Sequence, residues 1–467
     1  MKKLTILFSC FVVVLAGCNK FESDINLNPN APASASNTQL IANAQLYLPG
    51  LSTSPQGVYN AQYLSETEYP NLSLYNQVAF NFYDLYTGPL MNLESVLTAK
   101  SYDGNEGPVA NQIAVAKILK AYFFWHITDR WGDVPYSDAL KSNQNFTPKY
   151  EKQEVIYDSL FKILEEANNM IVTGNISNDI IYAGDMTKWK KLANTMRMLM
   201  ALRLTKVNAT KGSAEFNKAI AAGVMTANSD NFVFKHLPDA ANQNYWYGQV
   251  FGLNRSWWAL SKTLVDRMNP TSDPRLGTYG DRTKNAPNNY VGLTYGNTAA
   301  VNKDNVSLMG TAIWKQDAHI HLVTYAQALF ARAEAAKLGW ITGGDATAKT
   351  NYDLAIEQSV RQWNNNSTTG LSTMMAHPSV IYNPTTALEQ IANQRYIHLF
   401  MHGYEAWAEW RRTGFPNDMV SPGGKPVPRR QGYPTQEQFN NTTNYNEAVQ
   451  RQFAGQDNLT GKVWWDK

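Results

Sequence analysis

The sequence predicts an all-α fold built from helical hairpins. Two observations carry this. Apolar residues recur at helical spacing in six separate stretches, and polar loops rich in Gly and Pro divide them. In "QIAVAKILKAYFFWHITDRWGDVPY", Val115, Ile118, Leu119, Tyr122 and His126 share one helix face. Ile156, Leu160, Ile163, Leu164 and Ala167 repeat the pattern, and so do Trp189, Leu192, Ala193, Met196, Leu199 and Met200. Further helices are expected from Tyr325 to Leu338, Tyr352 to Trp363 and Leu388 to Arg412. Asp185 and Thr386 suit helix starts, and Gly339 and Gly414 suit stops. Short helices with polar connections imply packed hairpins. A clean repeat of ~34 residues is absent, so periodicity alone gives all-α hairpins and no named repeat.

Two regions break the helical pattern. Asn228 to Asp317 carries the turn signals "MNPTSDPRLG", "APNNYVG" and "TYGNTA", and Asn417 to Tyr433 is rich in Pro and Gly. A loop-rich segment as long as the first is often functional. At the other end, Lys2 and Lys3 precede an apolar run from Leu4 to Ala16. That run is shorter than the ~20 residues a spanning helix needs and fits a signal peptide. Leu15-Ala16-Gly17-Cys18 resembles a bacterial lipobox, so cleavage is expected to leave Cys18 as a lipidated first residue. The expected organisation is a signal peptide over 1–17 and a polar tether over 18–38. A helical domain over 39–467 follows, with ligand binding centred on about 228–317. Only Cys10 and Cys18 exist, which leaves the mature chain without an internal disulfide or a cysteine zinc site.

Charge is nearly balanced, 41 Lys+Arg against 38 Asp+Glu, which argues against a nucleic-acid partner. The chain carries 25 Tyr, 13 Trp and 18 Phe but only 17% charged residues. It contains no G-x-S-x-G, P-loop, G-x-G-x-x-G or H-E-x-x-H motif, so neither a catalytic centre nor a cofactor or metal site is expected. His398 and His402 stand four apart on one expected helix, but Leu399 replaces the metalloprotease glutamate, and a structural pair is favoured. His319 and His321 are two apart and would share a face only on a strand. Glu405 and Glu409 share a helix face, yet a glycosidase needs carboxylates on opposite sides of a sugar bond. Pairing of Glu409 with Arg412, with Trp407 and Trp410 turned to the core, is the preferred reading. In "WGDVPY", Trp131 is expected to end a buried helix, Gly132 to cap it and Pro135 to forbid continuation.

The aromatics of the loop-rich region differ from these helical stripes. Tyr245, Trp246, Tyr247, Trp258, Tyr290 and Tyr295, with Tyr75 from "NLSLYNQVAFNFYDLY", are candidate stacking surfaces for sugar rings. Asn244 and Arg255 are candidate hydrogen-bonding groups. A pocket with apolar walls and a few placed polar groups is what a ligand site requires.

Several stretches, in order, resemble one family. They are the lipobox followed by "NPNAP", "ITDRWGDVPYSDAL", "YDLAIEQSV", "QRYIHLFMHGYEAWAEWRRTGFP" and "PRRQGYPTQEQFNNTTNYNEAV". Together they are similar to the SusD/RagB-like outer-membrane lipoproteins of Bacteroidetes, and closest to a divergent branch. Gln394, His398 and His402 depart from the acidic pattern usual in the last long helix, so the ligand of the starch-binding members is not carried over. The resemblance implies a tetratricopeptide-like, right-handed superhelical core with long loop-rich insertions. It implies a lipid-anchored, surface-exposed, non-catalytic protein. Such a protein captures glycans or oligosaccharides, in some members peptides, for a SusC-like TonB-dependent transporter. A secreted glycan hydrolase is the alternative from another class. A lipid tether would raise the protein's effective concentration beside its transporter.

Overall fold

Residues 35–467 are described by the computed structural model. Cys18, its lipobox and nearly all of the expected tether lie outside them. The first helix, α1 (Asn37–Gln45), opens with a capping box: the Ser36 side chain accepts from the Gln39 amide and Gln39 answers to the Ser36 amide. Helical hairpins follow. α2 (Val109–Trp131) packs on α3 (Gln153–Met170), and α4 (Met186–Arg203) on α5 (Ala209–Ala222). α6 (Tyr325–Lys337) packs on α7 (Gly344–Trp363), and α8 (Ala387–His398) on α9 (Gly403–Thr413). The hairpins stack in series through α3 against α4, α4 against α6 and α6 against α8. α10 (Thr442–Phe453) closes the end of α2. Among the described residues no helix is long and apolar enough to cross a membrane.

The expected helix starts differ: Thr386 precedes α8 without a side-chain cap bond, whereas Asp185 uses its side chain. Asp185 caps α4 by accepting from the amides of Thr187 and Lys188. Gly132 ends α2 at φ +87° and Gly414 ends α9 at φ +80°, conformations that side chains with a Cβ resist. One expectation is corrected. The stretch from Leu388 to Arg412 is two helices, because Met401 takes φ +63° and breaks the run. His398 therefore ends α8 and His402 caps α9, so they do not share one helix face. His398 is held by hydroxyls instead, Nε2 2.7 Å from Thr324 Oγ1 and Nδ1 2.9 Å from Ser359 Oγ. α2 also exceeds its stripe: from Ala121 to Trp131 every residue is buried, as befits a helix surrounded by others.

The hairpins meet at a buried ion cluster that takes a member from each of them. Arg203 on α4 bonds Asp129 on α2 at 3.2 Å, Glu405 on α9 at 2.6 Å, and Glu409. Arg395 on α8 and Arg412 on α9 both contact Glu409, and both reach Glu334 on α6, at 2.8 and 2.5 Å. The Glu409–Arg412 pairing is present, and Glu405 and Glu409 are structural anions. Trp407 is buried as expected, but Trp410 is only half-buried, under Arg429 beside an open groove.

Six short strands form antiparallel pairs: β1 (Leu64–Glu66), β2 (Val134–Pro135), β3 (Tyr150–Glu151), β4 (Phe232–Phe234), β5 (Trp258–Leu260) and β6 (Ile320–Val323), with β2 and β3 in the connection from α2 to α3 and the others at or beside the loop-rich part. β1 pairs with β5, β2 with β3 and β4 with β6. A second core, rich in Tyr and Trp, lies beneath the loops and against α8 and α9. It includes Tyr59, Tyr63, Trp246, Tyr279, Tyr396 and Phe400. Tyr63 stacks on Tyr396 at 4.7 Å, and Tyr279 on Phe400 at 4.2 Å.

Candidate glycan-binding surface

The site is built outward from a close helix contact. The short helix Pro55–Asn60 lies so near α9 that a Cβ on Gly403 would overlap the backbone of Gly57, and one on Gly57 would meet the Tyr404 amide at 2.8 Å. Both positions need glycine for that reason. The approach fixes β1, which follows a few residues later. β1 in turn sets Glu66 opposite Trp258 on β5.

From this anchor a row of aromatic rings crosses the loop region. Tyr69 meets Trp257 edge-on at 4.9 Å, and Trp257 leans on Trp258 at 5.1 Å. Trp258 meets Trp246 at 5.1 Å, and Trp246 meets Tyr245 at 5.3 Å, both edge-to-face. The two ends are open, with Tyr69 59% and Tyr245 47% exposed, while Trp246 and Trp258 are buried. Asn244 sets the near end by capping the short helix Tyr245–Tyr247: its side chain accepts from the Trp246 amide at 2.8 Å and donates to Ala318 O. A π-helical turn, Gly248–Gly252, then brings Phe251 face-to-face with Tyr247 at 4.9 Å. Such widened turns concentrate at functional sites, and Phe251 is 66% exposed. Arg255 donates to Gln249 Oε1 at 2.7 Å and lies 5.7 Å from the Trp257 ring.

Behind the row, Glu66 is buried. Its Oε1 accepts from the Tyr59 hydroxyl at 2.6 Å, and that hydroxyl accepts from Trp258 Nε1 at 2.8 Å. Burial pushes the Glu66 carboxyl up, against the lowering effect of bonds from Tyr59, Trp258 and Trp257.

The structure sorts the expected residues. Tyr245 is exposed, Tyr247 and Arg255 are half-buried around the same π-helical turn, and Asn244 shapes this backbone without being free to bind. Trp246 and Trp258 are core supports, because β5 is covered on both faces and Trp246 is enclosed by its neighbours. Their removal would cost stability, so they are poor probes of binding. Tyr75 and Tyr295 are also buried, tilted together at 5.8 Å, with the Tyr75 hydroxyl accepting from Gln62 at 2.8 Å. They offer no open face for stacking. Tyr290 is half-buried beneath Arg282 on a separate groove. Sequence reasoning missed Tyr69, Phe251 and Trp257. The run "NYWYGQVFGLNRSWW" contained the last two, but only the strand pairing brings Tyr69 to them.

A cleft of about 410 Å³ opens beside the row, within the 300–1,000 Å³ range usual for ligand pockets. Trp246, Ile313, His321, Gln362, Trp363 and Phe400 line it. Burial, with smaller contributions from His319 and His402, pushes the His321 imidazole down to about 3, so it is neutral at physiological pH.

With this geometry in hand, comparison with known proteins places the chain. Residues 29–434 match the SusD-like family model described as starch-binding and associating with the outer membrane. The chain belongs to that family, whose members are binding proteins. A chitin-binding protein of solved structure is 29% identical, with a TM-score of 0.80 over 92% of this chain and 100% of its own. A SusD homologue from Bacteroides fragilis is 26% identical, with a TM-score of 0.80 over 93% and 100%. A SusD homologue from Flavobacterium johnsoniae, at 24% identity and a TM-score of 0.74 over 92% and 96%, shares the fold. No curated protein matched.

Proposed function

We propose that this chain is a non-catalytic lipoprotein that captures oligosaccharides at the cell surface and delivers them to a SusC-like TonB-dependent transporter. The observation that carries the reading is the aromatic row, open at Tyr69 and Tyr245 and braced between them by Trp246 and Trp258. Flat rings on a rigid backing suit pyranose faces, and Arg255 and Gln249 stand ready for hydroxyls. The chitin-binding relative supports a polysaccharide ligand, and the lipobox supports an anchor at Cys18 with residues 18–38 as the tether.

Replacing Tyr245 and Trp257 together by Ala is expected to weaken retention in glycan affinity gels at least tenfold, equivalent to ~1.4 kcal/mol. Unchanged retention by a variant that melts like the wild type would reject this surface. Release of reducing ends by the purified protein would favour the hydrolase instead. For the anchor, a Cys18→Ala variant is expected to leave the membrane fraction and appear in the soluble one. Equal membrane retention would refute lipidation at that residue.

A further inference from the structure

The open groove beside Trp410 lies at the C-terminal end of α9, and none of the rings of the aromatic row lines it. Its volume, about 430 Å³, suits a small ligand. Trp410, Met419 and Val427 give it apolar walls, and Asn417, Ser421 and Thr460 stand exposed at its edge. Arg429 also lines it, with its guanidinium 5.1 Å from the Trp410 ring.

Arg429 belongs to a group of cations with too few anions. Its Nε donates to Asp466 at 2.6 Å, and its Nη2 to Asp466 and to Arg411 O, the latter at 2.7 Å. Nη1 is left over. Lys206 Nζ reaches the same carbonyl at 3.3 Å and the same carboxylate at 3.6 Å. The two cationic heads are therefore neighbours, and the longer contacts hold Lys206 loosely, with its side chain 39% exposed. Beneath them Arg411 is buried and donates only to the carbonyls of Trp407, Asp129 and Arg429. The Asp129 carboxylate is engaged by Arg203, and Asp418, next to Asn417, by Arg267 at 3.1 Å. Asp466 thus answers for several cations at once. Burial pulls the Lys206 ammonium down, and Arg429 and Lys462 add to this against Asp466.

The geometry points to this groove as a second binding site, for a uronic acid residue, with Arg429 and Lys206 receiving its carboxylate. A pyranose has an apolar face for Trp410 and hydroxyls for Asn417, Ser421 and Thr460. A uronic acid adds on the same ring the anion that this charge excess lacks, and a guanidinium is the natural partner of a carboxylate. The choice of a sugar as ligand rests on the glycan-binding reading above; the site itself is separate from the row.

Titration calorimetry at low salt tests it, with tetramers of galacturonate and of mannuronate, each against its methyl ester, which removes only the charge. The wild type is expected to bind at least one free acid about tenfold more tightly than its ester, and less tightly as salt rises. Lys206→Gln should remove that preference and leave ester binding unchanged. Ser421→Trp, at an exposed position on the rim, should block the acid and serves should the first variant misfold. The Tyr245→Ala, Trp257→Ala double variant should keep the preference. Equal binding of acid and ester by the wild type, or no binding of either acid, overturns the site. So does a preference that survives both groove variants, or one lost only with Tyr245 and Trp257, which would put the acid on the row. Tetraglutamate bound as tightly as the uronates overturns the sugar class. Failure of neutral glycans to depend on Tyr245 and Trp257 counts against the row alone, so the two readings fall separately.

Discussion

Glu409→Gln is expected to destabilise the protein by ~3–5 kcal/mol, the cost of breaking a buried ion pair by removing one partner. Glu409 is the hub of the cluster, contacting Arg203, Arg395 and Arg412. Glutamine fills the same space but leaves three buried guanidiniums short of a counter-charge. Chemical denaturation at neutral pH measures the loss, and an unchanged midpoint would show that the cluster is incidental. The pH dependence follows from the same geometry. Burial pushes the Glu409 and Glu334 carboxyls up, but nearby guanidiniums outweigh it and hold both below the usual carboxylate range. A lowered folded pKa gives stability that is complete above the unfolded value of ~4.3 and lost as pH falls through the folded one. Glu405 runs the other way: burial dominates and raises it, so its ionisation costs stability at neutral pH and protonation relieves that cost. With two lowered groups against one raised, the wild type is expected to lose stability below about pH 4. The Glu409→Gln variant should lose less over that interval.

Trp131→Ala is expected to cost a similar ~3–5 kcal/mol, through cavity formation. The Trp131 ring is fully buried, edge-on to Phe82 at 5.4 Å, with the Arg130 guanidinium 4.2 Å from its centre. Its indole N–H donates to Gly432 O at 2.9 Å. Gly432 is also bonded to Phe80 and Val78, so one side chain ties the end of α2 to two distant loops. Trp131→Phe should cost less, since it keeps most of the packing and gives up the indole donor. Melting unchanged in Trp131→Ala, with ligand binding lost, would move this residue from the core to the binding surface.

What the sequence disclosed followed from how locally each feature is encoded. Gly132 and Trp131 were legible because a helix end is written in consecutive residues. The stripe of Ile156, Leu160, Ile163, Leu164 and Ala167 was legible because helical spacing repeats within a few turns; all are buried except Ile163, which is half-buried at the edge of the core. Only one edge of the ion cluster, Glu409 with Arg412, lies within a single turn. Arg203 and Glu334 come from other hairpins and carry no local signal. The same rule governs the candidate surface. Tyr245 and Tyr247 stood out in a dense aromatic run, whereas Tyr69 is a lone tyrosine in "SETEYP" that becomes relevant through the pairing of β1 with β5. Loop aromatics also gave no clue to their own burial. Trp258 sits on a three-residue strand covered on both sides, too short for alternation to be read.

Arrays of helical hairpins usually behave as modular chains, in which units contact only neighbours and can be lost, gained or melted one by one. The shared ion cluster removes that modularity here. Losing the hairpin that holds Asp129, Arg203, Glu334 or Arg395 would strand charges in the hairpins that remain. The array is therefore expected to melt as one cooperative unit rather than fray from its ends, and to tolerate length change in its loops but not in its number of hairpins.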